Sequence, residues 1–434
     1  MDLTGIATPV TIPSGNTITV TGTATNPTAA NLVIEDGGQL VNGTVVAATV
    51  KKNITAYTSA NDGWNLISSP VNTELLAGGI GLTTATTYDL YYLDEENSKW
   101  INFKDHVGNT NPGFNIQPQK GYLYANAANT TLSFSGDLLP NSDAGCEISL
   151  TKVGEGWNLV GNPYSFNAYV NKSYYVINGR TVEVYTGSDP VPTCTGIIVK
   201  ATGADNEKVT FRKTPFAVSA INNGNLQMTL AQTVATRGGE NMETIDNAIV
   251  SFNEGSQLEK FYFGTQNANI YIPQGTEEYA IVSSSAQGEM PVNFRAHVDG
   301  TYTLTVETAN CQLSTTNFNY LHLIDNMTGN DIDLLQTPSY TFNATTTDYS
   351  SRFKLVFAVG SSTDSETFAF YSNGNWIINN EGEATLQVID VHGRILSSET
   401  VNGSVSKAIN AAPGVYMIRL INGDNVRTQK VVVR

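Results

Sequence analysis

The chain has 434 residues, enough for about three domains, and a formal net charge of -16. This charge argues against a nucleic-acid interface, because phosphates require clustered Lys and Arg, and against docking on an anionic membrane surface. No apolar run approaches the roughly 18 residues of a membrane span. We therefore expect neither a nucleic-acid partner nor a membrane span.

The three cysteines limit the covalent and metal chemistry that the chain can support. Cys146, Cys194 and Cys311 are widely spaced and include no C-x-x-C pair. At most one disulfide is available, and a zinc site is disfavoured. We expect these cysteines to act as small buried hydrophobic residues.

Short alternating apolar runs divided by turn residues predict an all-β chain, a multidomain string of β-sandwich or jelly-roll modules. Helical periodicity is nearly absent, and its one weak candidate, residues 75–81, is interrupted by glycines. Residues 1–52 form short strands with glycine corners. Within them Leu-x-Ile-x-x-Gly-Gly-x-Leu, at 32–40, resembles a rung of a parallel β-helix. An edge strand packed on the next domain is the alternative.

An internal duplication organises residues 53–218. Residues 63–70, Gly-Trp-Asn-Leu-Ile-Ser-Ser-Pro, recur at 156–163 as Gly-Trp-Asn-Leu-Val-Gly-Asn-Pro. The strand-like segments Gly121–Ala125 and Gly196–Lys200 follow at corresponding places. We predict two β-rich half-domains, with repeat units at about 63–136 and 156–213, packed by pseudo-symmetry.

The first repeat carries an insertion, Tyr88 to Gln119, that is rich in aromatic residues. Tyr91, Tyr92 and Trp100 are candidate ligand-binding residues, because the faces of pyranose sugars pack against aromatic rings. The alternative is a strand followed by a turn at 94–97, with its rings shared between core and surface.

Residues 219–360 change to longer alternating strands, for example Leu226–Leu230, Ala248–Phe252 and Gly300–Val306. Regularly spaced strands that are separated by turn residues predict a β-sandwich or jelly roll. A Ser-Ser-Thr-Asp-Ser linker at 361–365 then leads to the last domain.

The last segment, Ala384 to Arg434, contains four strand-like runs separated by turn dipeptides. Asn422-Gly423 is the best hairpin signal, because these residues accept the positive φ angles of a tight turn. Tyr416, Ile418 and Leu420 fall on one face of their strand. The pattern predicts a small antiparallel β-sandwich that ends with the chain.

Three blocks in this segment match a known pattern: Val388–Arg394, Ala412–Arg419 and Lys430–Arg434. In order and spacing they resemble the C-terminal sorting domain of type IX secretion cargo in Bacteroidetes. The resemblance implies an immunoglobulin-like domain at 366–434 that directs export through the secretion machinery. It implies these sorting-motif residues: Asp390, Gly393, Arg394, Gly414, Tyr416, Arg419 and Lys430.

The same resemblance implies an extracellular or outer-membrane-surface location. The repeated Gly-Trp-Asn-Leu block is similar to one in other exported Bacteroidetes surface proteins. The family often opens with a Tyr-Pro-Asn-Pro-like motif where this chain reads Tyr371 to Asn375, so a cleaved signal and a retained relic both stay open. The first five residues lack the basic start and apolar core of a signal peptide, so we expect a longer precursor.

Catalytic and metal-binding motifs are absent from the sequence. The four histidines have no metal-ligand spacing, and no nucleophile elbow, P-loop or dinucleotide fingerprint occurs. Asp325, Asn326, Asp331 and Asp333 are oxygen ligands of the type that calcium binds, but they form no EF-hand loop. We predict no catalytic residue, no metal and no cofactor.

These observations favour a non-catalytic surface protein for adhesion or ligand display, with a glycan or a host or bacterial surface glycoprotein as its partner. An ancillary glycan-binding region of a secreted hydrolase, with its catalytic domain upstream, is the alternative. A subunit that polymerises by strand exchange is a third option, and it would need an exposed edge strand.

Overall fold

The computed structural model describes residues 1–58, 62–82, 87–104, 114–216, 224–236, 239–253, 255–264, 266–284, 287–307, 318–359, 368–372, 374–380, 382–409, 411–423 and 425–433. Strands dominate, which confirms the predicted all-β class. The weak helical candidate at 75–81 is a short 3-10 turn, Ala77–Ile80, and a second one is Ala29–Asn31. The chain forms two compact units: Met1–Val218 with Phe261–Asn267, and Ser219–Lys260 with Ala268–Arg434.

The strands of the first unit are β1 (Val10–Ile12), β2 (Thr17–Val20), β3 (Leu32–Ile34), β4 (Gln39–Asn42), β5 (Val46–Ile54), β6 (Asn65–Ser68), β7 (Tyr88–Asp94), β8 (Lys99–Asn102), β9 (Gly121–Asn126), β10 (Thr130–Leu138), β11 (Cys146–Ser149), β12 (Trp157–Gly161), β13 (Tyr169–Val170), β14 (Tyr174–Asn178), β15 (Thr181–Tyr185), β16 (Gly196–Lys200) and β17 (Lys208–Arg212).

The strands of the second unit are β18 (Asn225–Thr236), β19 (Gly239–Ser251), β20 (Leu258–Glu259), β21 (Ala268–Gln274), β22 (Glu277–Ser283), β23 (Gln287–Ala296), β24 (Gly300–Glu307), β25 (Phe318–Asp325), β26 (Asn330–Asp333), β27 (Ser339–Ala344), β28 (Phe353–Val359), β29 (Ala369–Ser372), β30 (Asn375–Ile378), β31 (Glu383–Asp390), β32 (Ile395–Asn402), β33 (Val405–Lys407), β34 (Gly414–Asn422) and β35 (Asn425–Val433).

Parallel strands stack at the N-terminus. β3 pairs in parallel with β1 and β5, and β2 pairs in parallel with β4. Gly38 permits the close approach of two turns, because a Cβ there would lie 2.6 Å from the carbonyl oxygen of Ile12. β5 also pairs antiparallel with β10 along its whole length. The boundary predicted after residue 52 therefore falls inside a strand.

The two Gly-Trp-Asn-Leu segments pair in the same register. In β6 and β9, Ser68 lies opposite Gly121, and in β12 and β16, Gly161 lies opposite Gly196. Reciprocal bridges join the two pairs. Ile67 bridges to Thr195, and Val160 bridges to Lys120. The residues before these bridge partners, Gln119 and Cys194, both have positive φ angles, 67° and 58°.

The second unit contains a sandwich in which β27, β24, β18 and β19 lie side by side, and β22, β21, β23, β28, β25 and β26 continue from β19. Its core includes Met228, Phe294 and Leu304. One fully buried ion pair, Lys260 Nζ to Asp246 Oδ1 at 2.6 Å, lies within this unit.

The C-terminal segment of the second unit packs a sheet ordered β32-β31-β34-β35 over a sheet ordered β29-β30-β33. The predicted hairpin is present between β34 and β35, with Gly423 at a φ of 57°. Ile377 of β30 is 1% exposed and packs with Tyr320, Ile324 and Val356 of the sandwich. The predicted linker at 361–365 lies outside the described residues.

Candidate functional site

The three aromatic residues predicted to bind ligand lie on the β7–β8 hairpin. Leu93 pairs with Trp100, and Tyr92 pairs with Ile101. Because side chains alternate across a strand, Tyr91 and Trp100 share one face and Tyr92 lies on the other. Tyr92 packs edge-on against Phe114 with ring centroids 5.0 Å apart, at the core of the first unit. The three predicted residues therefore do not form one surface.

Two further rings join Tyr91 and Trp100. The centroid of Trp64 is 5.8 Å from that of Tyr91 and 6.4 Å from that of Phe263. Phe263 also lies 6.5 Å from Trp100, again edge-on. All four side chains are half-buried. We call Trp64, Tyr91, Trp100 and Phe263 the aromatic face.

The turn that follows β7 fixes the hairpin. Asp94 accepts hydrogen bonds from the backbone N–H of Asn97 at 3.2 Å and from its side-chain amide at 2.9 Å. The Asn97 amide lowers the pKa of Asp94 below its ordinary value. The paired strands and this closed turn hold Tyr91 and Trp100, and edge-on ring contacts hold Trp64 and Phe263 against them, so the aromatic face is a preorganised surface.

The equivalent tryptophan of the second repeat is in a different environment. Trp157 is 8% exposed and packs edge-on against Tyr175 and Phe261. The Lys200 ammonium lies 4.7 Å above its ring, a cation–π contact. Of the two tryptophans in the repeated motif, only Trp64 therefore offers substantial ring area to a ligand. The segment 261–267 contributes a phenylalanine to each of them.

The first of the predicted sorting-motif residues form a closed turn between β31 and β32. Asp390 Oδ1 accepts the backbone N–H groups of His392 at 2.9 Å and Arg394 at 3.0 Å, and Oδ2 accepts the Arg394 Nε–H at 2.7 Å. Desolvation acts to raise the pKa of Asp390, but these hydrogen bonds outweigh it and lower the pKa. Gly393 has a φ of 79°, a conformation that favours glycine.

The next motif residues belong to the core of the domain. Gly414 begins β34, and Tyr416 is 8% exposed with its hydroxyl donating to the Ala412 carbonyl at 2.9 Å. The ring of Tyr416 packs edge-on against Trp376 at 5.4 Å. Trp376 is fully buried and donates its indole N–H to the Ile409 carbonyl at 3.2 Å. These contacts explain a structural need for the tyrosine.

Arg419 and Lys430 lie on the opposite side of the same sheet. Their strand neighbours Ile418, Leu420 and Val431 are buried in the core, so alternation directs Arg419 and Lys430 outward. Lys430 is exposed and Arg419 is half-exposed. The predicted sorting-motif residues thus divide into residues that close a turn, residues that fill the core, and two cations on the side of the sheet away from the core.

The acidic residues considered as calcium ligands have protein partners. Asp325 is buried and accepts the Arg352 guanidinium, with Nη2 to Oδ2 at 2.9 Å, together with the Tyr340 hydroxyl at 3.0 Å. Asp331 pairs with His322 at 2.7 Å. In the part of the chain that the structure describes, no cluster of three or more His, Cys, Asp or Glu residues is placed to hold a metal. His106 and Cys311 lie outside it.

Comparison with known proteins identifies the C-terminal segment. Residues 372–434 match the family described as secretion system C-terminal sorting domain. A sorting domain of this family marks its protein for export, so the chain is a secreted or cell-surface all-β protein. Among the residues described, no helix has the length and apolar character needed to cross a membrane.

The family match covers only the C-terminal segment of the chain. No curated protein matches the chain. Among solved structures it is similar to one titled biofilm associated protein, BSP domain, with 8% identity over 91% of this chain and 97% of that chain, and a TM-score of 0.17. A TM-score this low carries no argument about the fold or the function.

Proposed function

We propose that this protein is a non-catalytic adhesion or ligand-display protein of a Bacteroidetes cell surface. Its immunoglobulin-like C-terminal domain directs export through the type IX machinery, and its aromatic face binds a surface glycan or glycoprotein. The observation that carries the ligand proposal is the set of four half-buried rings on one preorganised surface. The export proposal rests on the family match at residues 372–434.

Sugar is the ligand class that fits the aromatic face. The C–H groups on one side of a pyranose ring pack on aromatic faces, and half-exposed rings gain contact area without new side-chain ordering. Trp64, Tyr91 and Trp100 offer such rings. A neutral sugar also needs no opposite charge, which suits a chain that carries 39 acidic against 23 basic side chains.

The second candidate is an ancillary glycan-binding region of a secreted hydrolase. The parallel pairing of β1, β3 and β5 favours it, because stacked parallel turns are the unit of β-helices. Under this candidate the aromatic face holds the polysaccharide while an upstream domain cleaves it. Hydrolysis by the full-length protein would distinguish it from an adhesin.

Removing two rings of the aromatic face is expected to weaken glycan binding. We expect Tyr91→Ala/Trp100→Ala to lower affinity by about ten-fold or more, since each buried aromatic contact contributes on the order of 1 kcal/mol. A glycan array followed by calorimetry on its best ligand measures this. Tyr349→Ala, which removes a tyrosine that is 49% exposed in the second unit, is the control and should bind normally. Equal binding by both variants would reject the aromatic face.

Deleting residues 372–434 is expected to stop surface display. The protein, fused to a secretory signal peptide, would be expressed in a bacterium that has type IX secretion, and intact cells would be labelled with antibody. Export to the periplasm should continue, because that step does not use the C-terminal domain. Surface labelling at the level of the intact protein would contradict the export role.

A further inference from the structure

The outer side of the C-terminal sheet is an open surface that combines apolar and cationic side chains. On β34 and β35, Val415 lies beside Val432, and Met417 lies beside Lys430. Val432 is 55% exposed, and Val415, Met417 and Arg419 are half-exposed although β34 is a central strand. We call these five residues the outer face. An exposed patch of this composition is typical of a protein interface, where Met and Arg are enriched.

The two cations of the outer face have no carboxylate partner among the described residues. Other cations of the same domain form ion pairs: Arg394 pairs with Asp390 at 2.7 Å, and Lys407 pairs with Glu399 at 2.9 Å. Arg427 lies 4.8 Å over the Phe368 ring. Neither Arg419 nor Lys430 contributes to the fold in these ways, so their charge is available to a partner.

The domain also differs from the rest of the chain in charge. Residues 372–434 carry six Lys and Arg against five Asp and Glu, whereas residues 1–371 carry 17 against 34. A partner that attracts the outer face by charge therefore repels most of the protein it exports. Electrostatic complementarity of this kind sets orientation and association rate more than total affinity.

We propose that the outer face docks on a component of the export machinery that presents carboxylates beside an apolar surface, with Arg419 and Lys430 contacting the carboxylates. This proposal rests on the export role above. A guanidinium binds a carboxylate through two parallel hydrogen bonds, which gives the contact a fixed geometry. A second copy of the chain is a poor occupant, because the outer face carries two cations and no carboxylate, so a two-fold contact of this face with itself offers no opposite charge.

The test is surface display of Arg419→Gln/Lys430→Gln in a bacterium with type IX secretion. We expect the displayed fraction to fall by about ten-fold, with folded protein held in the periplasm, since both side chains face solvent and their loss leaves the core intact. Protease resistance and thermal unfolding of the periplasmic protein report its folding. The charge-conserving Arg419→Lys/Lys430→Arg should restore most display.

Lys354→Gln/Lys407→Gln is the matched control, because it also removes two positive charges, from partly exposed ion pairs that involve no residue of the outer face. It should be displayed normally. If Arg419→Gln/Lys430→Gln is displayed normally while the protein that lacks residues 372–434 stays in the periplasm, docking through the outer face is rejected and the export role is not. If the matched control loses display to the same extent, the loss results from the change in net charge, and docking through the outer face is rejected. Display of the deletion itself would overturn the export role.

Discussion

Lys260→Met is expected to lower the free energy of unfolding by about 3–5 kcal/mol, since removing one partner leaves a buried charge uncompensated. Asp246 and Lys260 are both 0% exposed at the side chain, and their oxygen and nitrogen lie 2.6 Å apart. Asp246 also accepts the backbone N–H of Ile270 at 2.9 Å. Urea-induced unfolding followed by circular dichroism measures the loss.

The pH dependence of that variant follows from burial. Desolvation raises the pKa of Asp246 above 3.8, and in the wild type the attraction of Lys260 opposes the rise. Without Lys260 the folded protein holds a proton on Asp246 that the unfolded chain releases. Stability of the variant should therefore improve as the pH falls towards 3.8 and decline as it rises.

Two controls separate a buried charge from a lost side chain. Asp246→Leu/Lys260→Met should recover much of the stability, because a buried pair replaced by apolar residues is close to neutral. Lys152→Met, at a pair with Asp205 whose side chains are 46% and 87% exposed, should cost less than about 1 kcal/mol. A cost of similar size for Lys260→Met would mean that Asp246 becomes solvated in the variant.

Apolar alternation and turn residues in the sequence predicted the all-β class and several of the strands. Tyr416, Ile418 and Leu420 are buried on one side of β34, as their alternation predicted. The Asn-Gly signal located a true hairpin, because only a few residue types accept its positive φ angles. Such features depend on neighbours in sequence, so residue order alone indicates them.

Sequence patterns predict only part of the aromatic face. The alternation of side chains along β7 places Tyr91 and Tyr92 on opposite faces, so the prediction that both bind ligand together with Trp100 is wrong for Tyr92. Trp64 could also have been singled out from the sequence, because it belongs to the repeated Gly-Trp-Asn-Leu motif. No sequence feature singles out Phe263. Its segment lies far along the chain, and only the tertiary structure brings its ring to Trp64 and Trp100.

The sequence also does not predict which groups pair with the charged side chains. Asp325 looked like a calcium ligand because its neighbours in sequence are acidic. In the structure it is buried against Arg352, 27 residues away, and that contact satisfies its charge. A carboxylate's role depends on what lies across the sheet, and sequence spacing does not encode the pairing of distant strands.

Trp376→Ala is expected to destabilise the C-terminal domain by about 3–5 kcal/mol, the usual cost of removing a fully buried tryptophan. The indole is 0% exposed, lies between the rings of Tyr371 and Tyr416 at 4.9 and 5.4 Å, and donates to the Ile409 carbonyl. The cavity left behind removes the support of Tyr416, and with it the packing of β34. Thermal unfolding and hydrogen exchange in β31 and β34 measure the effect.

The same variant links the fold of the domain to its sorting role. If the outer face works only on an ordered sheet, Trp376→Ala should lose surface display although Arg419 and Lys430 remain. Trp376→Phe keeps the ring packing and loses one hydrogen bond, so it should unfold at nearly the normal temperature and be displayed. Full display of a Trp376→Ala protein whose β34 exchanges freely would show that the machinery reads a linear segment, because sequence would then suffice without the sheet that positions the two cations.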